Sequence, residues 1–137
     1  MYLIFYMENH KRHTLSKKER LNSVNLIEKL FSGGSKSLPA FPLRIVYMLT
    51  DNDELPIASV LISVSKKHFK HATKRNRIKR QIREAYRKYK YLLIDHLSST
   101  NQKIIIAFIW LDNKFYSSKD IEGKIKKLLQ LTVERIS

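Results

Sequence analysis

Between Lys66 and Lys90 the chain places twelve Lys or Arg residues against a single acid, Glu84. That leaves +11 of the whole chain's +15 formal charge inside 25 of its 137 residues. A protein core cannot absorb such charge, so one side of this segment must face water or an anion. The apolar residues within it recur at helical spacing. At about 100° per residue, Ile78, Ile82, Ala85, Tyr86, Tyr89, Leu92 and Leu93 share an arc of roughly 120°. Lys79, Arg80, Arg83, Arg87 and Lys90, with Asn76 among them, fill an adjoining arc of about 100°, and Arg77 and Lys88 flank it. The pattern predicts one helix from about Lys74 to Leu97, with an aliphatic and tyrosine seam inward and a cationic ridge outward.

The ridge constrains the partner. A solvated helix face ordinarily interleaves acids with bases, and here the acids are nearly absent, which favours a nucleic acid. Guanidinium forks match phosphate oxygens in pairs. A membrane surface is the weaker alternative, because the apolar side of the segment suits a protein core.

Several other classes drop out. The chain has no cysteine, which removes disulfide frameworks and thiolate metal sites and fits a reducing, cytoplasmic setting. Its longest uncharged apolar runs, Tyr2–Met7 and Ile104–Leu111, fall well short of a membrane span of roughly 20 residues. The apolar opening lacks the basic lead-in and small-residue cleavage site of a signal peptide, and residues 1–6 receive no function. Disorder is disfavoured by an apolar and aromatic content of 43%.

Residues 1–13 read as a flexible basic arm and 14–137 as one domain. Ser16-Lys-Lys-Glu19 has capping-box spacing, and Asn22-Ser23 suits the start of a short helix bearing Val24, Ile27, Leu30 and Phe31. Gly33-Gly34 ends that helix, and Ser35–Pro42, with Pro39 and Pro42, reads as a linker. Leu43–Thr50 reads as a strand with Leu43, Ile45, Tyr47 and Leu49 on one side. A turn at Asp51–Glu54 leads to a second strand, Ile57–Ser65, and the two are expected to pair as an antiparallel hairpin. After the basic helix, the apolar run Lys103–Leu111 predicts a strand covered on both sides. Ser117 or Ser118 opens a last helix with Ile121, Ile125, Leu128, Leu129 and Ile136 inward. The order is α-β-β-α-β-α, an α+β sandwich of a mixed sheet with helices.

His10-x-x-His13 and His68-x-x-His71 have a spacing that can bring two ligands together, but no cysteine or evident carboxylate completes a zinc site. They read as exposed imidazoles in basic surroundings. Trp110 reads as core or rim. No phosphate loop, nucleophile–base motif or dinucleotide fingerprint is present, and no small-molecule substrate is expected.

The run Arg75-Asn76-Arg77-Ile78-Lys79-Arg80-Gln81-Ile82-Arg83 resembles the signature of the protein component of bacterial ribonuclease P. In that family an Arg-Asn-Arg motif, followed by Ile-Lys-Arg, comes after a strand ending Ser-Val-Ser-Lys-Lys. Here that strand end is Ser63-Val64-Ser65-Lys66-Lys67, joined to the helix through Ala72-Thr73-Lys74. The similarity runs from about Ser23 to Ile136 with matching element order.

The resemblance implies the small subunit of a ribonucleoprotein that removes the 5′ leader from precursor tRNA. An RNA subunit holds the catalytic Mg²⁺, and the protein supplies no nucleophile. It implies RNA-subunit contacts at Arg75, Asn76, Arg77, Lys79, Arg80 and Arg83, with Lys66 and Lys67 nearby. It also implies a leader cleft between the first helix and the sheet, lined by Ile27, Phe31 and Tyr47. Stacking of bases on Phe31 and Tyr47 stands against ordinary core packing, and the residue pattern leaves both open. The implied fold is that of the second domain of a small-subunit ribosomal protein, with a left-handed βαβ crossover, opposite to the general handedness rule.

Three positions depart from the family pattern: Ile27 where many members carry Phe, Leu61 where Gly is common, and a longer loop with His68-Phe69-Lys70-His71. Two rival functions share parts of this reading. A structural RNA protein of the same fold would keep the ridge without the leader cleft. A free-standing ribonuclease would need an acid–base pair that the sequence does not offer.

Overall fold

A computed structural model of the protein describes residues 24–137. The arm expected over residues 1–13, its two histidines and the Ser16–Glu19 capping box lie outside the described residues.

The apolar run at 103–111 organises the fold. It forms β4 (Lys103–Trp110), an inner strand of a four-stranded sheet. Its two faces meet separate cores, as a strand without polar alternation requires. Ile104, Ile106, Phe108 and Trp110 enter the larger core, whereas Ile105 and Ala107 enter a smaller one on the opposite face. Next to it lies β2 (Leu43–Thr50), with the bounds read from sequence, and Leu43, Ile45 and Tyr47 join the larger core. On the other side β4 takes β3 (Ala58–Ser63).

The expected β2–β3 hairpin does not form. In the sheet β4 separates the two strands, antiparallel to β2 and parallel to β3. Burying a strand that is apolar on both faces takes a neighbour along each edge, and residues 51–57 reach across it. The stretch expected as a linker supplies β1 (Lys36–Ala40), paired antiparallel with β2. Pro39 is tolerated there because β1 is an edge strand, where a missing N–H costs no ladder bond. A cis Phe41–Pro42 bond turns β1 into β2.

The basic segment makes two helices where the periodicity predicts one. The first, α2, runs Ala72–Tyr89, and the second, α3, runs Tyr91–Ser98. Here α1 denotes Val24–Phe31 and α4 Ser118–Ile136. The two helices meet at Lys90, whose carbonyl accepts from the Leu93 and Ile94 amides, and Leu93 and Leu97 join the larger core. Lys90 itself is only 6% exposed, so it leaves the cationic ridge assigned to it.

The seam of α2 is as expected, with Ile78, Ile82, Ala85 and Tyr86 buried, and α4 packs beside it through Ile121, Ile125, Leu128 and Leu129. Ser117 caps α4 by accepting the Asp120 N–H at 3.1 Å. Helix α1 covers part of the opposite sheet face through Leu26, Ile27 and Leu30. It ends at Gly33 and Gly34, whose φ of +100° and +83° favour glycine. Among the described residues no helix is long and apolar enough to cross a membrane.

Candidate nucleic-acid interface

Helix α2 begins against its own electrostatics. The N-terminal end of a helix carries partial positive charge and favours acids. The first turn of α2 has none, and the His71 side chain makes no capping bond. Lys74 and Arg75 stand there instead, followed by Arg77, Lys79, Arg80 and Arg83. Such an end is stabilised by an anion from outside, with the amide donors of the first turn aimed at it.

The loop before α2 adds Lys66 and Lys67, both exposed, and turns back through the His68 and Phe69 amides on the Ser65 carbonyl. Arg75 braces that loop: its Nη1 donates to the carbonyls of Phe69 and Lys70 at 2.9 and 2.8 Å. Its side chain is half-buried, and much of its hydrogen-bonding capacity is therefore committed within the protein.

The other expected contacts divide between two flanks. Asn76 and Arg80 are exposed on the outer ridge, with Lys79 and Arg83 half-buried along its inner edge. Arg77 lies on the side facing α4, its guanidinium carbon 4.2 Å from the ring centroid of Phe115. Among the described residues neither Arg77 nor Arg80 meets a carboxylate. Further along the helix Arg87 binds Glu84 at 2.7 Å and Lys88 binds Glu122 at 2.9 Å. The Arg87 hydrogen bond holds the Glu84 carboxyl below its ordinary pKa, and the Glu122 bond raises that of Lys88.

The three residues expected to line a cleft do not come together. Ile27 packs on the sheet face beneath α1, and Phe31, at the end of α1, is 49% exposed. Tyr47 is 2% exposed and points into the larger core on the other face. Strand alternation accounts for this correction, because Val46 and Met48 face α1 and Tyr47 lies between them. That face carries rows set by strand register: Val46, Ala107 and Leu61, of which Val46 and Ala107 are buried beside α1, then Arg44, Ile109 and Ser63, all half-buried. Arg44 is half-buried, and its Nη1 donates to Ser37 Oγ at 2.8 Å. Sequence reasoning missed Arg44 because its place depends on which face α1 covers, and α1 alone carries no signal for that.

The last row sits at the carboxyl ends of the parallel strands β3 and β4, the end from which the chain leads into α2. An apolar shelf beside an exposed aromatic thus continues into a cationic helix end. Such a surface suits single-stranded nucleic acid, which needs stacking partners and backbone charge together. The carboxylates and imidazoles are dispersed: among the described residues no three of them gather as metal ligands, and His68 Nδ1 lies 2.7 Å from Asn113 Oδ1.

Known proteins are similar to this chain in sequence and share its fold. Residues 15–132 match the family model for Ribonuclease P. The ribonuclease P protein component of Porphyromonas gingivalis is 40% identical over 115 residues, covering 84% of this chain and 83% of that one. That of Chlorobium phaeobacteroides is 35% identical over 127 residues, 85% and 86% of the two chains. Among solved structures, the Staphylococcus aureus RNase P protein superposes with a TM-score of 0.65 at 22% identity, over 83% of this chain and 94% of that one. The Thermotoga maritima RNase P protein gives 0.57 at 21%, over 87% and 98%. These two share the fold. By the family match and its close relatives, the chain belongs to the ribonuclease P protein family, as a protein subunit of that ribonucleoprotein endoribonuclease.

Proposed function

We propose that this subunit binds the ribonuclease P RNA through Lys66, Lys67 and the exposed cations of α2's N-terminal half, and guides the 5′ leader of precursor tRNA past Phe31 and across the half-buried end of the sheet face beside α1. The observation that carries the reading is the electropositive start of α2, where cations cluster at the positive end of a helix with no acid in its first turn. Phosphates of a folded RNA relieve that repulsion, and binding releases their counterions. Recognition at this face is of backbone shape more than base identity. Asn76, which both donates and accepts, suits a ribose hydroxyl beside the phosphates.

On the sheet side, Phe31 offers a ring on which an unpaired leader base stacks, and Arg44 offers a charge for the adjoining phosphate. The shelf between them is apolar and sequence-tolerant, as a subunit serving many precursors requires. Tyr47 has no part in it.

Mg²⁺, held by the RNA subunit, supplies the cleavage chemistry. The dispersed carboxylates and imidazoles of the protein do not fit a Mg²⁺ site of its own among the described residues. What the chain contributes is positive charge near the joined RNAs, which lowers their mutual repulsion. Its place of work is the cytoplasm, with RNA as its partner.

The test is reconstitution with a ribonuclease P RNA and precursor tRNA at low Mg²⁺. Stimulated 5′ cleavage is expected, with the protein lowering the Mg²⁺ requirement. Cleavage without the RNA subunit would instead indicate a free nuclease. Binding without stimulation would indicate a structural RNA protein.

A further inference from the structure

Arg77 is held by an aromatic column that rises out of the core. Phe69 is 7% exposed and belongs to the larger core, and Phe115 stacks on it with centroids 5.0 Å apart and planes at 18°. The Arg77 guanidinium carbon lies 4.2 Å from the centroid of Phe115, whose residue is 36% exposed. Two loops hold the rings in register. The loop carrying Phe69 is tied by Arg75 to the start of α2. The loop carrying Phe115 is tied by the Trp110 Nε1 bond to the Asp112 carbonyl at 2.7 Å, and by Gln81 Nε2 to the Tyr116 carbonyl at 3.1 Å. His68 and Asn113 join the two loops. The nearby acid, Asp112, accepts from the Tyr116 hydroxyl and the Asn113 amide.

We propose that Phe115, backed by Phe69, is a positioning residue that presents the Arg77 guanidinium to the RNA subunit. The inference rests on the functional reading above. A ring and a carboxylate both restrain an arginine, but only the ring leaves its positive charge uncancelled for a phosphate. Restraint before binding also removes rotamer freedom that a long side chain otherwise loses on contact with RNA. The flat guanidinium is the group suited to this arrangement, since an ammonium has no plane to stack. Phe115 therefore acts on RNA binding only through Arg77.

The experiment measures the affinity of the full chain for a ribonuclease P RNA at fixed moderate salt, in a double-mutant cycle. Phe115→Leu keeps apolar bulk on Phe69 and removes the flat face; it is expected to weaken binding about three- to ten-fold. In an Arg77→Ala background the same change is expected to alter affinity less than about two-fold. Phe115→Tyr, which keeps the ring, is expected to bind as the wild type does. No loss in the wild-type background, or an equal loss in both backgrounds, would overturn the proposal while leaving the functional reading intact. Failure of the unmodified chain to bind the RNA would overturn that reading and the proposal with it.

Discussion

The two halves of α2 use the same residue types for different ends. From Lys74 to Arg83 six Lys or Arg residues occur without an acid, and Arg77 and Arg80 meet no carboxylate among the described residues. From Glu84 to Lys90, Arg87 is bound to Glu84 on the helix itself and Lys88 to Glu122 on α4, while Lys90 is buried. In this half a carboxylate of the same chain accompanies Arg87 and Lys88. For Arg77 and Arg80, which meet none among the described residues, the counter-charge has to arrive with a partner, and the helix dipole makes the N-terminal half the better place for it. Charge density alone would assign RNA contacts along the whole ridge; pairing restricts them to its first half.

The strongest way to break this contrast is to remove two charges from each half. Arg77→Ala with Arg80→Ala is expected to weaken binding of a ribonuclease P RNA about 30-fold, roughly 2 kcal/mol, and to reduce the salt slope by about 1.5. Thermal unfolding of that variant should remain within a few degrees of the parent, since neither side chain is buried. Arg87→Ala with Lys88→Ala should change affinity by less than about two-fold under the same salt. Comparable losses from both pairs, by filter binding or fluorescence anisotropy, would erase the distinction.

Arg75 sharpens the contrast from inside the first half. It belongs to the family signature, yet its Nη1 holds two loop carbonyls. Arg75→Ala is therefore expected to cost about 1–2 kcal/mol in chemical denaturation, a charge-assisted bond being worth roughly that when partly exposed. Its effect on RNA affinity should be smaller than that of Arg77→Ala. A variant with full stability and strongly reduced binding would return Arg75 to the partner-facing set.

What the sequence discloses follows from the range of each interaction. The seam of α2, the bounds of β2 and the cap of α4, for which the sequence offers Ser117 or Ser118 and the structure takes Ser117, depend on neighbours three or four residues away or on strict alternation, and the sequence discloses them. The partners of β4 are set across the sheet, so a short turn after β2 suggested a hairpin that the buried β4 displaces. Tyr47 shows the same limit at the site. Its alternation with Leu43 and Ile45 already grouped it with one face, but no local signal states that α1 covers the other. Phe69 and Phe115 are 46 residues apart in the chain, and neither lies in a periodic element, so their stack with Arg77 leaves no local trace.

Acid sets the smallest and most local test. The Glu84 carboxyl is held below its ordinary pKa first by the hydrogen bond from Arg87, with burial opposing and the charges of Arg87 and Lys88 adding. A folded value below the unfolded one means that the pair contributes fully above the unfolded pKa, and that the contribution is lost as pH falls through the folded value. Both side chains reach solvent, so only a few tenths of a kcal/mol are at stake. Following the Glu84 carboxyl carbon by NMR, the midpoint is expected below the ordinary glutamate value in the parent and higher in Arg87→Gln. Over the same range Arg77 has no carboxylate to lose. Asp112, in the loop that carries Phe115, is itself held low, chiefly by the Tyr116 hydroxyl. The Arg77 signals should therefore not follow the Glu84 midpoint. A Glu84 midpoint that Arg87→Gln leaves unmoved would mean that pairing does not govern the C-terminal half, and the two halves of α2 would then differ in composition alone.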